Sequence, residues 1–134
     1  MFLINIDHIG IAVRDLDAAI EEYGRQYQVE PTHREVVESQ GVEEAMIPVG
    51  GSHVQLLAPV HEDSPVAKFL ATRGEGMHHV AYAVLDIEAA LAHLRAEGVR
   101  LIDEEPRVGG GGARIAFVHP KALAGTLIEL VEAP

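Results

Sequence analysis

The feature that most constrains the fold is one short pattern that occurs twice in the chain. The segment IDHIGIAV, residues 6–13, is matched by MHHVAYAV, residues 77–84, at an offset of 71 positions. The match continues without a gap, so that Asp15 aligns with Asp86. A registration of this length indicates two copies of one structural unit. A chain of 134 residues is long enough for two small modules that share a core.

Each copy reads as a strand followed by a helix. The apolar first segment gives way to helical spacing, and Asp15 and Asp86 stand where helix N-caps belong. Gly98 stands where the residue after a helix belongs. Three strand segments follow each helix: HREVVES, EEAMIPV and HVQLLAPV in the first copy, and VRLIDEE, ARIAFVHP and GTLIELVE in the second. The predicted fold class is therefore α+β, with two βαβββ modules in tandem.

We expect a single domain over residues 1–134. The first module covers about residues 3–60, the linker about 61–75, and the second module about 76–132. The linker segment SPVAKFLATRGEG predicts a short helix.

Composition excludes several classes of partner and site. The formal net charge of −11 argues against nucleic acid as a main partner. No cysteine is present, so that a metal site would use histidine, carboxylate or amide ligands. No apolar run reaches the ~18 residues that span a bilayer, and the first residues do not resemble a signal peptide. We therefore expect a cytoplasmic protein with no membrane partner.

Four polar residues lie inside otherwise apolar strand segments. His8 and His79 occupy the first strand of their copies, whereas Gln55 and Glu129 occupy the last. Taken singly, each residue is most simply a hydrogen-bonded core residue. Taken together, two imidazoles, an amide oxygen and a carboxylate are a plausible ligand set for one divalent ion, if pseudo-two-fold packing brings them together.

With this quartet and the βαβββ repeat, the chain resembles the methylmalonyl-CoA epimerases of the vicinal-oxygen-chelate superfamily. The resemblance covers nearly all of Ile4 to Glu132. The stretches GMHHVAY and GGGGARIAFVHPK, with GTLIEL after them, are more particular to the epimerases than the quartet, which glyoxalases share.

The resemblance implies an eight-stranded open barrel, a homodimer and one metal ion held by His8, Gln55, His79 and Glu129. Cobalt, manganese, nickel and zinc all suit these ligands. It also implies a small-molecule acyl-CoA substrate whose C2 is epimerised between the 2R and 2S forms by two acid/base groups. The family's non-ligand glutamate corresponds to Glu44, and the second acid/base group corresponds to Glu129.

Pattern alone does not choose between Glu43 and Glu44. Adjacent residues of a strand point to opposite faces, and either face could be the inner one. Only the family alignment selects Glu44.

The remaining basic and histidine residues are less informative. His78 reads as structural and points away from His79, and His33, His53, His61, His93 and His119 read as surface or loop residues. Coenzyme A phosphates need positive charge, and the unranked candidates are Lys68, Arg73, Arg107, Arg114 and Lys121.

Alternative functions use the same fold. A glyoxalase-type isomerase would use the same quartet, and an extradiol dioxygenase would need a more open iron site than four ligands leave. A metal-free protein that binds a small molecule, as resistance proteins do, would need neither the metal nor Glu44. Fold alone excludes none of these functions.

Overall fold

The computed structural model describes residues 2–134 and divides into two compact units. The first unit is His8–His78, and the second consists of residues 2–7 with His79–Pro134. The described residues form eight strands and three α-helices, with three short 3-10 turns between them: β1 Leu3–Ala12, α1 Leu16–Tyr27, β2 His33–Val37, β3 Val42–Val49, β4 Ser52–Pro59, α2 Pro65–Arg73, β5 Gly76–Val84, α3 Ile87–Ala96, β6 Arg107–Val108, β7 Arg114–Val118 and β8 Ile128–Glu132.

The two units repeat one strand arrangement. In the first, the hydrogen-bonded order is β2-β3-β4-β1, and in the second it is β6-β7-β8-β5. The first strand of each copy pairs in parallel with the last, and the other neighbours are antiparallel. The predicted α+β class with two βαβββ modules is confirmed.

The helices begin where the sequence predicts. The Asp15 side chain accepts a hydrogen bond of 3.0 Å from the Ala18 N–H, and Asp86 does the same for Ala89 at 3.0 Å. These carboxylates satisfy donors that the first turn leaves unpaired. Gly98, after α3, has a φ of 75°, a left-handed conformation that glycine adopts without strain. The predicted linker helix is α2.

The segment VRLIDEE is not a strand, which corrects the prediction. Only Leu101 forms a bridge, to Val118, and the edge strand is the two-residue β6. The N–H groups of Ile102 and Asp103 both donate to the Phe117 carbonyl, at 2.9 and 3.1 Å. The Asp103 carboxylate accepts from the Phe117 N–H at 2.8 Å. The Asp103 side chain therefore accepts from the Phe117 N–H that a carbonyl of a neighbouring strand would otherwise bind, and the β-ladder ends there.

Each unit has its own apolar core. In the first unit, Ala45 and Ile47 of β3 are fully buried and pack with Leu16 of α1 and Leu56 of β4. In the second, Ile87 and Leu91 of α3 pack against Ala116 and Leu130, again beneath the helix. One face of each sheet thus packs on its helix, which leaves the opposite face for the polar residues.

None of the helices formed by residues 2–134 is long and apolar enough to cross a membrane.

Candidate metal and acid-base site

Strand register places three predicted site residues of the first unit on one face of its sheet. Gln55 of β4 pairs with Gly10 of β1, two residues from His8, and with Met46 of β3, two residues from Glu44. Residues two apart along a strand share a face, as do residues directly opposite each other. His8, Gln55 and Glu44 therefore share the face opposite α1, and all three side chains are buried.

Burial distinguishes Glu44 from Glu43. Glu44 is only 3% exposed, and its Oε1 accepts a hydrogen bond of 3.1 Å from Gln55 Nε2. Glu43 lies on the helix side of β3 with a partly exposed side chain. It accepts a hydrogen bond of 2.9 Å from Arg34 Nε, and Arg34 also binds Asp17 of α1 at 2.7 Å. Glu43 is thus held in a surface ion pair, whereas Glu44 shares a face with His8 and Gln55.

The surroundings of Glu44 favour its protonated form. Burial raises the pKa of its carboxyl above the ordinary value, and the nearby Glu35 carboxylate adds to that rise. The Gln55 amide, His33 and His8 lower the pKa and oppose the effect of burial. A raised pKa makes the protonated carboxyl easier to populate, which suits a group that has to accept and donate a proton in turn.

Gln55 presents a buried oxygen that has no hydrogen-bond partner among residues 2–134. Its Nε2 donates to Glu44, and this fixes the amide with Oε1 pointing away from that contact. Burying an unpaired amide oxygen costs on the order of 1–3 kcal/mol. A water molecule or a bound metal ion can satisfy a buried oxygen of this kind.

Two further residues approach Glu44 that the sequence analysis did not select. Glu35 of β2 is directly opposite Glu44 in the β2–β3 register, and His33 is opposite Met46, so both lie on the same face. His33 Nε2 lies 2.7 Å from Glu35 Oε1 and 3.8 Å from Glu44 Oε2. The sequence pattern predicts His33 at the surface, and its side chain is 43% exposed. The sequence predicts the two strands and the QG turn between them, but the proximity of His33 to Glu44 depends on the register of that hairpin.

The second unit places His79 and Glu129 together. Glu129 of β8 pairs in parallel with Ala81 of β5, which shares its face with His79. His79 Nε2 lies 3.0 Å from Glu129 Oε1, and both side chains are almost completely buried. The Phe117 ring meets the His79 ring edge-on at a centroid distance of 5.7 Å, which restricts the orientation of the imidazole.

The spacing of this pair suits two neighbouring ligands of one ion. Metal–ligand bonds of about 2.1 Å at right angles separate two ligand atoms by about 3 Å. The His79–Glu129 separation of 3.0 Å is compatible with that value, and it is equally the length of a hydrogen bond between the two side chains. The imidazole nitrogen and carboxylate oxygen of the second unit are therefore able to ligate a divalent metal.

The second unit has no glutamate at the position equivalent to Glu44. In the second unit Ile115 precedes Phe117 by two residues, and Phe117 pairs with Glu129 as Met46 pairs with Gln55. Ile115 is thus the equivalent of Glu44, and it is buried and apolar. One module carries the candidate non-ligand base, and the other carries the candidate ligand carboxylate.

His78 packs as the alternation of a strand requires. Its ring meets that of Phe69 on α2 at a centroid distance of 4.9 Å, which agrees with the structural role predicted for it.

Of the basic candidates for coenzyme A, Arg114 lies 3.3 Å from Glu88 and 3.6 Å from Glu132. Arg107 lies over the Phe117 ring, 5.5 Å from its centroid. The assignment of phosphate-binding residues stays a prediction.

Comparison with known proteins identifies the family. The model of the Glyoxalase/Bleomycin resistance protein/Dioxygenase superfamily matches residues 7–117. The chain belongs to this superfamily. A solved structure described as methylmalonyl-CoA epimerase in complex with methylmalonyl-CoA and NH4+ is 50% identical, with a TM-score of 0.94 over 98% of this chain and 95% of that one.

Two curated relatives have names that include methylmalonyl-CoA epimerase. The ethylmalonyl-CoA/methylmalonyl-CoA epimerase of Cereibacter sphaeroides is 36% identical over 93% of this chain and 95% of its own length. The human mitochondrial methylmalonyl-CoA epimerase is 33% identical over 96% of this chain and 73% of its own length. The resemblance to methylmalonyl-CoA epimerases is therefore confirmed over nearly the whole chain.

Proposed function

We propose that this chain is a metal-dependent epimerase that interconverts (2R)- and (2S)-methylmalonyl-CoA. The names of its relatives support the substrate, and one observation from the site supports the chemistry. Glu44 is a buried carboxyl that Gln55 orients, on the face that also carries His8. A protein that only binds a small molecule has no need for a carboxyl with a raised pKa beside a candidate ligand set.

We propose that His8, Gln55, His79 and Glu129 hold one divalent ion. The unpartnered Oε1 of Gln55 and the 3.0 Å separation of His79 and Glu129 fit this assignment. Two imidazoles, one amide and one carboxylate suit cobalt, manganese, nickel or zinc. With one anionic ligand, such a site keeps net positive charge. A bound ion supplies a Lewis acid that stabilises negative charge on the substrate oxygens when C2 loses its proton.

The two glutamates carry the proton transfers. Glu44, which is not a ligand in this proposal, exchanges a proton with one face of C2 through its carboxyl. Glu129 has two carboxylate oxygens, so that it can ligate with one and exchange a proton with the opposite face of C2. Removal on one face and delivery on the other inverts the centre. The raised pKa of Glu44 brings its acid and base forms closer in population at neutral pH.

We further propose that the active form is a homodimer located in the cytoplasm. Ile4 and Ile6 lie two apart on β1 and share one face, Phe2 directly precedes the strand, and each of the three is more than a third exposed. An apolar face of this kind suits burial against a second copy. Light scattering of the purified protein tests this, because a monomeric mass would contradict it.

Deuterium wash-in tests the function. Methylmalonyl-CoA is incubated in D2O with metal-loaded protein, with chelated protein and with the Glu44→Gln variant, and deuterium at C2 is measured by mass spectrometry. We expect rapid incorporation with the loaded protein, none after chelation and strongly impaired exchange or epimerisation with the variant. Absence of incorporation with cobalt or manganese loaded would overturn the proposal. Turnover of lactoylglutathione instead would indicate a glyoxalase-type isomerase.

A further inference from the structure

Phe117 of β7 lies beside both candidate ligands of the second unit. Its ring centroid is 5.7 Å from that of His79, and the two ring planes are nearly perpendicular at 86°. Phe117 is also directly opposite Glu129 in the antiparallel β7–β8 register, so that the two side chains share one face of the sheet. The residue is only 7% exposed. Its ring is therefore a buried neighbour of the His79–Glu129 pair.

The backbone of Phe117 is held by the segment that precedes β6. Its carbonyl accepts hydrogen bonds from the N–H groups of Ile102 and Asp103, at 2.9 and 3.1 Å. Its own N–H donates to Oδ2 of Asp103 at 2.8 Å. Both polar backbone groups of Phe117 are thus bound to two neighbouring residues, and the point from which the ring projects is fixed.

Arg107 of β6 holds the ring itself. Its guanidinium carbon lies 5.5 Å from the centroid of the Phe117 ring, within the range of a cation–π attraction. Its Nε lies 3.4 Å from Oδ1 of Asp103. The Asp103 carboxylate therefore binds the Phe117 backbone through one oxygen and the guanidinium over the Phe117 ring through the other.

We propose that Arg107 and Asp103 hold the Phe117 ring against His79, so that the imidazole is oriented for metal binding before the ion arrives. In this role Arg107 is a positioning residue and not a ligand of a coenzyme A phosphate. The inference rests on the metal site of the proposed function. An imidazole that is already oriented loses less rotational freedom when it binds an ion, and the ion therefore binds more tightly.

The affinity of the metal-free protein for cobalt measures this positioning. Phe117→Leu removes the ring and keeps an apolar side chain, and we expect it to weaken cobalt binding about three- to tenfold, which is the contribution of one aromatic pair. Arg107→Gln removes the charge over the ring and should weaken cobalt binding about two- to fivefold. Calorimetric titration gives the affinities, and the visible absorption of bound cobalt reports any change in its coordination.

A double variant distinguishes a shared role from two separate ones. If Arg107 acts through the Phe117 ring, its loss has no further effect once the ring is gone. Adding Arg107→Gln to Phe117→Leu should therefore change the cobalt affinity by less than about twofold. A phosphate-binding Arg107 gives a different pattern, because Arg107→Gln would then raise KM for methylmalonyl-CoA and keep the wild-type cobalt affinity.

Phe2→Leu and Arg95→Gln are matched controls in the same unit. The Phe2 ring meets the ring of His93, which is not a candidate ligand, at a centroid distance of 5.6 Å and an angle of 64°. Arg95 lies 4.0 Å from Glu104 in an exposed ion pair. Both control variants should keep the wild-type cobalt affinity and absorption.

Wild-type cobalt affinity in Phe117→Leu or in Arg107→Gln would overturn the inference, and so would fully additive losses in the double variant. Urea denaturation shows which variants fold. If Phe117→Leu does not fold, the exposed substitution Arg107→Gln decides by its cobalt affinity and its KM. Failure of the wild-type protein to bind cobalt would instead reject the proposed metal site, and the two failures are therefore distinguishable.

Discussion

Gln55 Nε2 donates a hydrogen bond of 3.1 Å to Oε1 of the buried Glu44 carboxyl. The same amide leaves its Oε1 without a partner among residues 2–134. One side chain thus orients the candidate base and presents a candidate metal ligand. This coupling means that changes at Gln55 should affect both metal binding and proton transfer, whereas Glu44→Gln keeps an oxygen that can accept the Gln55 hydrogen bond and should affect chiefly proton transfer.

Replacing Glu44 by glutamine should remove most of the epimerase activity. Loss of a positioned acid/base group lowers the rate by about 10²–10⁴-fold, and the amide keeps the size of the side chain. Glu43→Gln is the matched control, because Glu43 lies on the opposite face in an ion pair with Arg34. Its variant should stay within about threefold of wild type. Initial rates with both epimers decide this, and equal losses in the two variants would contradict the assignment.

Glu44 should destabilise the metal-free protein at high pH. Its pKa is raised in the folded state from an ordinary value of 4.5, chiefly by burial. Folding therefore favours the protonated Glu44 carboxyl. The loss of folding free energy caused by ionising Glu44 grows as pH rises from the pKa of the unfolded state through the pKa of the folded state. In the presence of a chelator, Glu44→Gln should unfold at higher urea than wild type at pH 8, with a difference that shrinks toward pH 4.5. A difference independent of pH would show that ionisation of Glu44 carries no penalty.

Removing the Gln55 oxygen should weaken metal binding. Loss of an outer-shell partner alone weakens metal affinity 10–100-fold, so that loss of a ligand should cost at least about tenfold. Gln55→Leu keeps the volume of the side chain, and Gln26→Leu on the exposed face of α1 is the control. Calorimetric titration of cobalt into metal-free protein measures the affinities. The same affinity in Gln55→Leu and wild type would remove Gln55 from the ligand set.

Two glycines with the same backbone conformation should differ in their tolerance of alanine. Gly41 and Gly50 have φ angles of 65° and 59°, so a Cβ strains both by about 1 kcal/mol. A Cβ at Gly41 would also lie 2.8 Å from Ser64 Cβ, whereas nothing lies within 4 Å at Gly50. Gly41→Ala should therefore lower the free energy of unfolding by about 1–3 kcal/mol more than Gly50→Ala. Urea denaturation of the two variants measures the difference, and equal losses would mean that Ser64 moves aside freely.

The features that could be predicted from the sequence are those that depend on local pattern. Helix spacing and the N-caps at Asp15 and Asp86 are set within a few residues, and the structure has both helices as predicted. The repeat made the four polar positions visible, since an unexpected polar residue in an apolar strand can be recognised without knowing its neighbours in space. The βαβββ order follows from the same local signals.

Tertiary structure decided which face and which register each strand adopts. Ala45 and Ile47 pack against α1, and this packing turns Glu43 toward the helix and Glu44 away from it. Hairpin register brings His33 within 3.8 Å of Glu44, although the two residues are 11 apart in the chain. The Asp103 side chain ends a strand that the pattern VRLIDEE favoured. In each case the outcome depends on a partner distant in sequence, and the period of a single segment carries no information about that partner.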